Sequence, residues 1–437
     1  MIIQIIIILS PLLHQPRMIR KKAFDHVIVG SGLLGSSVAY HLSKLTQGES
    51  SICIVERGSR TDYATRGNSQ YSTGLITSSH KTALGRSMVE QTFTDLTDLA
   101  TLGFDPHFIQ MGCVEVDIND KRIFHPTISP SPIHQNDLTN VLHFDGWEDT
   151  FAAGNAVPST FNDFVVSEQF ARDGVVSPTD LADCFRNAAK AINPKLEIIF
   201  DADVVAATGD ANSIDLTMAD GTIVTGGKVV NAAGAWVDTL GLGSKIPDAN
   251  GKGVPIGLMR ADYWMLQAPR PIPKNTPLLT LPGAYIKPHG NQVELGTYRD
   301  QQLVYEHPDD HCDQEDSEME SIMSKIDLLK HFIPDIEEFR PMRYTSAKTT
   351  YTPDGMPVLG YVNQPDLPPM FAVSGCNGYG VTWSGGFGRI VSEALLGIKE
   401  LPIEIDAKRF DEWSRQEVKD GAAEKRRTKF GIWKAET

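Results

Sequence analysis

Val27-Ile28-Val29-Gly30-Ser31-Gly32-Leu33-Leu34-Gly35 decides the reading of the chain: an apolar run followed at once by a G-x-G-x-x-G turn. Leu34, Val38, Leu42 and Leu45 then recur at helical spacing, and Ile52-Cys53-Ile54-Val55-Glu56 gives a second apolar run that ends on an acid. Strand, glycine turn, helix and acid-tipped strand in this order make the βαβ unit that binds dinucleotides. Gly30 permits the tight turn, Gly32 lets the backbone approach a pyrophosphate, and Gly35 lets the helix pack on the sheet with its N-terminus toward the phosphates. Glu56 falls where a carboxylate accepts hydrogen bonds from ribose hydroxyls. The unit by itself leaves NAD, NADP and FAD open.

A chain of 437 residues exceeds one ordinary core and implies two lobes or more. Asp plus Glu number 55 against 40 for Lys plus Arg, a net charge of −15, which argues against a nucleic-acid partner because that affinity rests on cationic neutralisation. The five cysteines, Cys53, Cys113, Cys184, Cys312 and Cys376, show no C-x-x-C or paired spacing, so neither a disulfide framework nor a zinc knuckle is expected. This usage suits a reducing compartment; the cytoplasm is the expectation, with a mitochondrial place as the alternative. His307, His311 and Cys312 among Asp309, Asp310, Asp313, Glu315 and Asp316 read as a solvated loop before a helix rather than a metal site. The apolar stretch Met1–Leu13 is too short to span a membrane, and its basic residues follow it rather than precede it. Residues 1–17 are therefore expected to be dispensable, with translation starting at Met18; residues 1–23 form a lead outside the fold.

Further along, Arg66–Leu75 is a loop of small polar residues suited to passing beside a ligand. Ser177-Pro178-Thr179-Asp180 reads as a helix start ahead of Leu181, Cys184, Phe185 and Ala188. A meander is expected over Leu196–Phe200, Val204–Ala207, Ile214–Met218 and Ile223–Thr225, with its last turn at Asp220-Gly221. Lys228–Asn231 then reads as a buried strand running into the small-residue turn Ala232-Ala233-Gly234-Ala235-Trp236. Alternation over residues 255–300, at Tyr263 and Met265, Tyr285 and Ile286, Val293 and Leu295, predicts strands of a second, antiparallel lobe. Ile322–Phe332 reads as a helix, and the residues after 400 as a charged amphipathic helical tail.

With the fingerprint and the turn at 230–236 stands a third motif: Thr352-Pro353-Asp354-Gly355-Met356-Pro357-Val358-Leu359-Gly360, then Ser374-Gly375-Cys376-Asn377-Gly378-Tyr379-Gly380 through Gly385-Gly386. Together they resemble the D-amino-acid oxidase superfamily of FAD enzymes, nearest to the flavin domains of dimethylglycine and sarcosine dehydrogenases and to sarcosine and glycine oxidases. The likeness runs from residue 24 to about 400. It implies an α/β fold: a discontinuous Rossmann-like FAD-binding domain (24–100, 165–250 and 340–400) with an inserted mixed β-sheet substrate domain (101–164 and 251–339). It also implies FAD contacts from Gly30, Gly32, Leu33, Leu34, Gly35, Glu56 and Arg57; from Ser72, Gly74 and Leu75; from Val204, Ala232, Ala233, Gly234 and Trp236; and from Asp354, Gly378, Tyr379, Gly380, Val381 and Thr382.

The chain departs from the resembled enzymes at positions that matter. The histidine that tethers flavin in the dehydrogenases, in a G-S-T-W-H-A-A-G-L stretch, corresponds to Tyr71, and the tethering cysteine of monomeric sarcosine oxidases corresponds to Ala347. Noncovalent FAD is therefore expected. The lysine associated with oxygen activation in those oxidases corresponds to Glu294, a substrate-side histidine to Tyr298, and a carboxylate-binding lysine to Gly380. An anion at Glu294 would oppose superoxide-like charge, so an acceptor other than oxygen is at least as well supported as oxygen.

Flavin carries the difficult step, so no acid–base pair is needed in the chain. A carboxylate substrate would need a cation, for which the second lobe offers Arg260, Lys287, Arg299, Arg343 and Lys348; Tyr298 and Arg343 rank first as catalytic candidates by their nearness to the resembled substrate strand and the T-P-D motif. The expectation is an FAD-dependent oxidoreductase acting on the CH–NH or CH–NH2 group of a small amine or amino acid. A CH–OH donor, such as a hydroxy acid or polyol phosphate, is the first alternative; a non-catalytic flavoprotein regulator or assembly factor is the second. The expected partners are a small-molecule substrate and an electron acceptor. No membrane span is expected, nor is direct transfer of a one-carbon product to folate as in the dimethylglycine dehydrogenases.

Overall fold

A computed structural model describes residues 21–61, 67–78, 80, 82–117, 131–133, 163–166, 172–237, 256–269, 271–272, 276–281, 284–297, 336–352, 354–364 and 367–410. In chain order the first elements are β1 (Lys21–Val29), α1 (Leu33–Leu45), β2 (Ile52–Val55), β3 (Leu75–Ile76), α2 (Ala83–Thr101), β4 (Ile109–Gln110), β5 (Cys113–Asp117), β6 (Ser131–Ile133), β7 (Asp163–Val166) and β8 (Gly174–Val175). There follow α3 (Pro178–Ile192), β9 (Glu197–Ile199), β10 (Val204–Gly209), β11 (Ile214–Met218), β12 (Ile223–Asn231), β13 (Gly257–Gln267), β14 (Leu278–Leu281), β15 (Ala284–His289) and β16 (Gln292–Thr297). The last are β17 (Arg340–Tyr351), β18 (Val358–Gln364), β19 (Leu367–Ser374) and α4 (Ser384–Leu395).

The fingerprint folds as the sequence predicts and builds the centre of the first sheet, but residues 21–23, assigned to the lead, are the first residues of β1 and pair with Ile223, Val224 and Thr225 of β12. β9, β2, β1, β12 and β19 lie side by side in parallel, the arrangement of a doubly wound nucleotide-binding sheet. Only the far half of β1, from His26 to Val29, is buried, as befits a strand covered where its carboxyl end meets the core. β12 carries two partners on one edge: Ile223–Gly226 pairs antiparallel with β11, and Val230–Asn231 pairs parallel with β19. The sequence reading differs here in two ways. Leu196–Phe200 does not open the meander but joins β2 as a parallel edge, and Ile223–Asn231 is one strand rather than two.

α1 packs between α3 and α4 through small residues. Ser37 Oγ donates to the Ser384 carbonyl at 2.8 Å, and a Cβ on Gly388 would strike Ser37 and His41. α3 starts at the expected helix start, and Ser177 caps it: Ser177 Oγ accepts from the Asp180 amide at 3.3 Å, with Pro178 in the first turn. Phe185 on this helix is fully buried against Tyr40, ring centroids 5.4 Å apart; truncating it to alanine would cost about 3–5 kcal/mol. Of the apolar positions assigned to α1, Val38 and Leu42 are buried while Leu45 is exposed at the helix end.

The second sheet has the order β17-β13-β16-β15-β14-β5-β7-β6, antiparallel throughout except for β14 beside β5. The alternation over 255–300 is that of β13, β15 and β16. Residues 340–351, grouped by the sequence reading with the nucleotide-binding pieces, instead pair along their length with β13 as the edge of this second sheet. A small sheet, β3-β8-β4, is tied to the start of β5 by the Met111 and Gly112 amides, which donate to the Asp173 carbonyl at 3.0 and 2.8 Å. The helix expected at Ile322–Phe332, the acidic stretch 307–316 and the tail after 410 lie outside the described residues. No described helix is long and apolar enough to cross a membrane.

Candidate functional site

The cleft begins at the carboxyl ends of β1, β2 and β12. Gly30 takes φ +99°, and its amide donates to the Val55 carbonyl at 2.9 Å. A Cβ there would sit 2.8 Å from the Ala232 carbonyl oxygen, so only glycine brings the turn this close to β12. Gly35 is closed in differently: a Cβ would fall on the Gly30 carbonyl oxygen. Glu56 braces the turn, accepting from the Ser31 amide at 2.7 Å and the Gly58 amide at 2.8 Å. Arg57 lies over the Trp236 ring at 4.4 Å, a flat cation–π wall on the same side.

The other end is built by β17 and the turn after β19. Asn377, at φ +53°, knits them together: its amide donates to the Thr350 carbonyl at 2.9 Å, and its side-chain oxygen accepts from the Thr352 amide at 3.0 Å. Gly375 donates to Thr350 Oγ1 at 3.2 Å. The chain then passes through Gly378 (φ +82°) and Gly380 into α4, with Thr382 Oγ1 donating to the Leu75 carbonyl at 2.9 Å. Tyr379, Trp383 and His80 stack beneath this turn, with Tyr379 and Trp383 centroids 4.5 Å apart.

Between these ends runs one cleft enclosing about 1190 Å³, open solvent at its mouth included. Gly30, Gly32, Leu33, Leu34, Glu56 and Arg57 line its first end, and Val204, Ala232, Ala233, Gly234 and Trp236 its floor; Ser72 stands along the middle, and Gly378, Gly380 and Val381 close the far end. Val29, Val55, Ala202, Asp203 and Ala235, the loop residues Gly67, Asn68 and Ser69, and Thr349, Thr350 and Cys376 also line it, none of which the sequence reading named as a contact. Thr349 and Thr350 enter because β17 reaches across from the second sheet. Ser69 was foreshadowed only by its small polar loop; its Oγ accepts from the Leu33 amide at 3.2 Å.

Six expected contacts are not among the residues that line the cleft. Gly35 and Gly74 are packing glycines, the latter at φ +73° with a Cβ position against the Val176 carbonyl. Leu75 and Thr382 bond to each other, and Tyr379 belongs to the aromatic stack. Asp354 is a structural corner: Arg409 Nε and Nη2 reach its two oxygens at 2.7 and 3.1 Å, and Oδ1 also accepts from the Met356 amide.

The residues present suit an adenine dinucleotide. α1, whose N-terminus meets the cleft, has no side-chain cap at Gly32, whereas α2 and α3 are capped by Thr82 and Ser177. At α1 this end suits phosphate, with the Leu33 amide donating to Ser69 Oγ at 3.2 Å; α4 begins behind the far end, its Gly385 amide donating to Thr92 Oγ1 at 3.0 Å. Gly234, at φ +59°, has no atom within 4 Å of its Cβ position and leaves room beside the floor.

On the second sheet, Lys287 and Glu294 face each other in the β15–β16 register, Nζ to Oε2 at 2.6 Å. Tyr285 donates to Glu294 Oε1 at 3.0 Å, and Lys287 also donates to the Thr73 carbonyl at 2.6 Å. The anion expected to act alone at Glu294 is thus neutralised by a cation from the neighbouring strand, which removes the electrostatic ground for disfavouring oxygen. Arg343 is exposed, opposite Met265, and does not line the cleft. Tyr298 lies outside the described residues. Ala347 is registered with Ala261 across β17 and β13, and Tyr71 is exposed at the end of a short turn in the loop. Burial pushes the Cys53 and Cys113 thiols up to about 12 and Cys184 to about 11, which leaves all three protonated and unreactive at neutral pH.

A family model described as "DAO: FAD dependent oxidoreductase" matches residues 25–394. The mitochondrial pyruvate dehydrogenase phosphatase regulatory subunit of Mus musculus is 22% identical over 409 residues, covering 88% of this chain; the chain spans only 43% of that relative's length. Among solved structures, L-proline dehydrogenase from P. horikoshii superposes with a TM-score of 0.70 at 18% identity, over 90% of this chain and 99% of the other. Glycine oxidase from Geobacillus kaustophilus gives 0.62 at 19%, over 87% and 97%. At these identities the structural likeness speaks for the fold.

Proposed function

The chain belongs to the DAO family of FAD-dependent oxidoreductases, and from that membership we propose that it oxidises a small amine or amino acid at a carbon bonded to nitrogen, with FAD held noncovalently. The observation that carries this reading is the continuity of the cleft, from the glycine turn and Glu56 to the amides before α4, with Thr349 and Thr350 of the second sheet along its far end. FAD, when bound, supplies the hydride acceptor, and the imine product hydrolyses in water.

The chain's own residues bind and orient. The glycine turn and the α1 N-terminus hold the pyrophosphate, while Glu56 offers its carboxylate to the ribose. Arg57 and Trp236 wall the cleft on the nucleotide side, and Gly378, Gly380 and Val381 line the far end, where the ring would lie. Thr349 and Thr350 bring the edge of the second sheet to the cleft. The donor nitrogen must be neutral for its lone pair to assist hydride departure, so no general base is required of the protein and the rate of ring reduction rises with pH until the bound amine is deprotonated.

Tyr71 and Ala347 at the tethering positions support noncovalent binding; acid precipitation should leave the yellow colour in the supernatant, and colour retained in the pellet contradicts it. The donor class is tested by anaerobic mixing of the FAD-loaded protein with panels of amines and of hydroxy acids. Bleaching by an amine supports the proposal, and bleaching by hydroxy acids alone overturns it. A second reading, a flavoprotein that regulates a partner enzyme, is favoured by the name of the mouse relative, a regulatory subunit. It is preferred if no donor bleaches the ring while a stable protein complex co-purifies.

A further inference from the structure

Lys287 and Glu294 are a buried ion pair of the second sheet, with side chains 12% and 4% exposed, and the proposed function gives them no task. Lys287 bonds outward as well as inward, since its Nζ reaches both Glu294 and the Thr73 carbonyl. Thr73 directly follows Ser72, which lines the cleft, so the ammonium holds the residue next to one on the cleft wall. Thr73 belongs to the loop whose Gly67, Asn68 and Ser69 also line the cleft and whose Ser69 holds the Leu33 amide. Tyr285 occupies the other carboxylate oxygen of Glu294, and its ring covers Gly296, where no side chain would fit.

A buried ion pair contributes little net stability compared with apolar residues of the same shape, whereas breaking one partner leaves an uncompensated charge. Its value here lies in its position. We infer that Lys287 and Glu294 are a positioning pair with two separable effects: Lys287 docks the second sheet on the cofactor loop through Thr73, and Glu294 holds the charge beside that loop at zero. This rests on the proposal that FAD occupies the cleft. An uncompensated cation beside the loop favours the reduced, more negative ring, and an uncompensated anion disfavours it.

The test measures the flavin midpoint potential and the FAD dissociation constant in the full chain for E294Q, K287M and the double variant. E294Q leaves the lysine and its bond to Thr73, so the potential rises and FAD affinity holds. K287M leaves the carboxylate alone and frees the loop, so the potential falls and FAD binds roughly tenfold more weakly, the loss of one charge-assisted hydrogen bond. The double variant returns to the wild-type potential while keeping the weaker FAD binding. Potentials that move in the same direction, or not at all, overturn the charge role; unchanged FAD affinity in both lysine variants overturns the docking role. If K287M does not fold, E294Q against the double variant decides the charge role, and the double variant's FAD affinity the docking role. Wild-type protein that binds no FAD instead refutes the reading on which the inference rests.

Discussion

Arg186, on the buried face of α3, donates from Nη1 to the Ser31 carbonyl at 2.5 Å and to the Ser36 hydroxyl at 2.9 Å, and it is ion-paired with Asp183 one turn earlier. A helix more than 150 residues along the chain thus clamps the glycine turn from behind, while Glu56 braces it from the front. The shape offered to a pyrophosphate depends on both.

Replacing Arg186 by methionine removes the clamp and leaves the Ser31 carbonyl buried without that donor. The expected cost is about 2–4 kcal/mol of stability, with at least a roughly tenfold weaker FAD dissociation constant. Chemical denaturation and flavin fluorescence titration read the two effects; an unchanged affinity would mean the turn holds its shape alone.

Gly35→Ala puts a methyl group into the Gly30 carbonyl oxygen and must push α1 away from the turn. Overpacking of this kind costs about 1–3 kcal/mol. The loss of FAD should exceed the loss of stability, because the helix N-terminus is displaced from the phosphates. A variant that keeps wild-type affinity would show the third glycine to be replaceable.

Asp354→Asn breaks the paired contacts with Arg409, whose partners are both largely buried. A fall in stability of about 1–3 kcal/mol is expected with no change in FAD affinity. Weakened FAD binding at unchanged stability would make Asp354 a cofactor contact rather than a structural corner.

Asp173 is fully buried between β3 and β5, where its Oδ1 accepts from the Ser78 amide and hydroxyl and Oδ2 has no partner. Burial pushes its carboxyl up to about 7 from 3.8, against the pull of the Ser78 donors and Arg172. The folded state therefore favours the neutral acid. Its contribution is fully present below about pH 4 and is lost as pH rises through 7. The upper bound is about 4 kcal/mol. Melting temperature should fall across this window in the wild type and stay flatter in Asp173→Asn; parallel profiles would contradict the assignment.

The fold was legible where local pattern and long-range packing agree. β1, α1 and β2 follow from glycine spacing and apolar runs, and α3 from a serine cap and a proline, because each signal lies within a few residues of what it specifies. β17 was misplaced because its pairing with β13 joins residues some eighty positions apart, and nothing local to Thr349 or Thr350 announces the cleft. Asp354 stood in a recognisable motif, yet its partner Arg409 lies 55 residues on. Glu294 read as a lone anion because the cation that offsets it comes from across a hairpin, visible only once the register is fixed.

Titration of the purified, FAD-depleted chain with FAD, in the presence and absence of excess NAD, tests the central claim most directly. One tight flavin per chain, undisplaced by NAD and lost in Gly35→Ala, is the predicted result. Protein that takes up no FAD, or that yields its site to NAD, contradicts it.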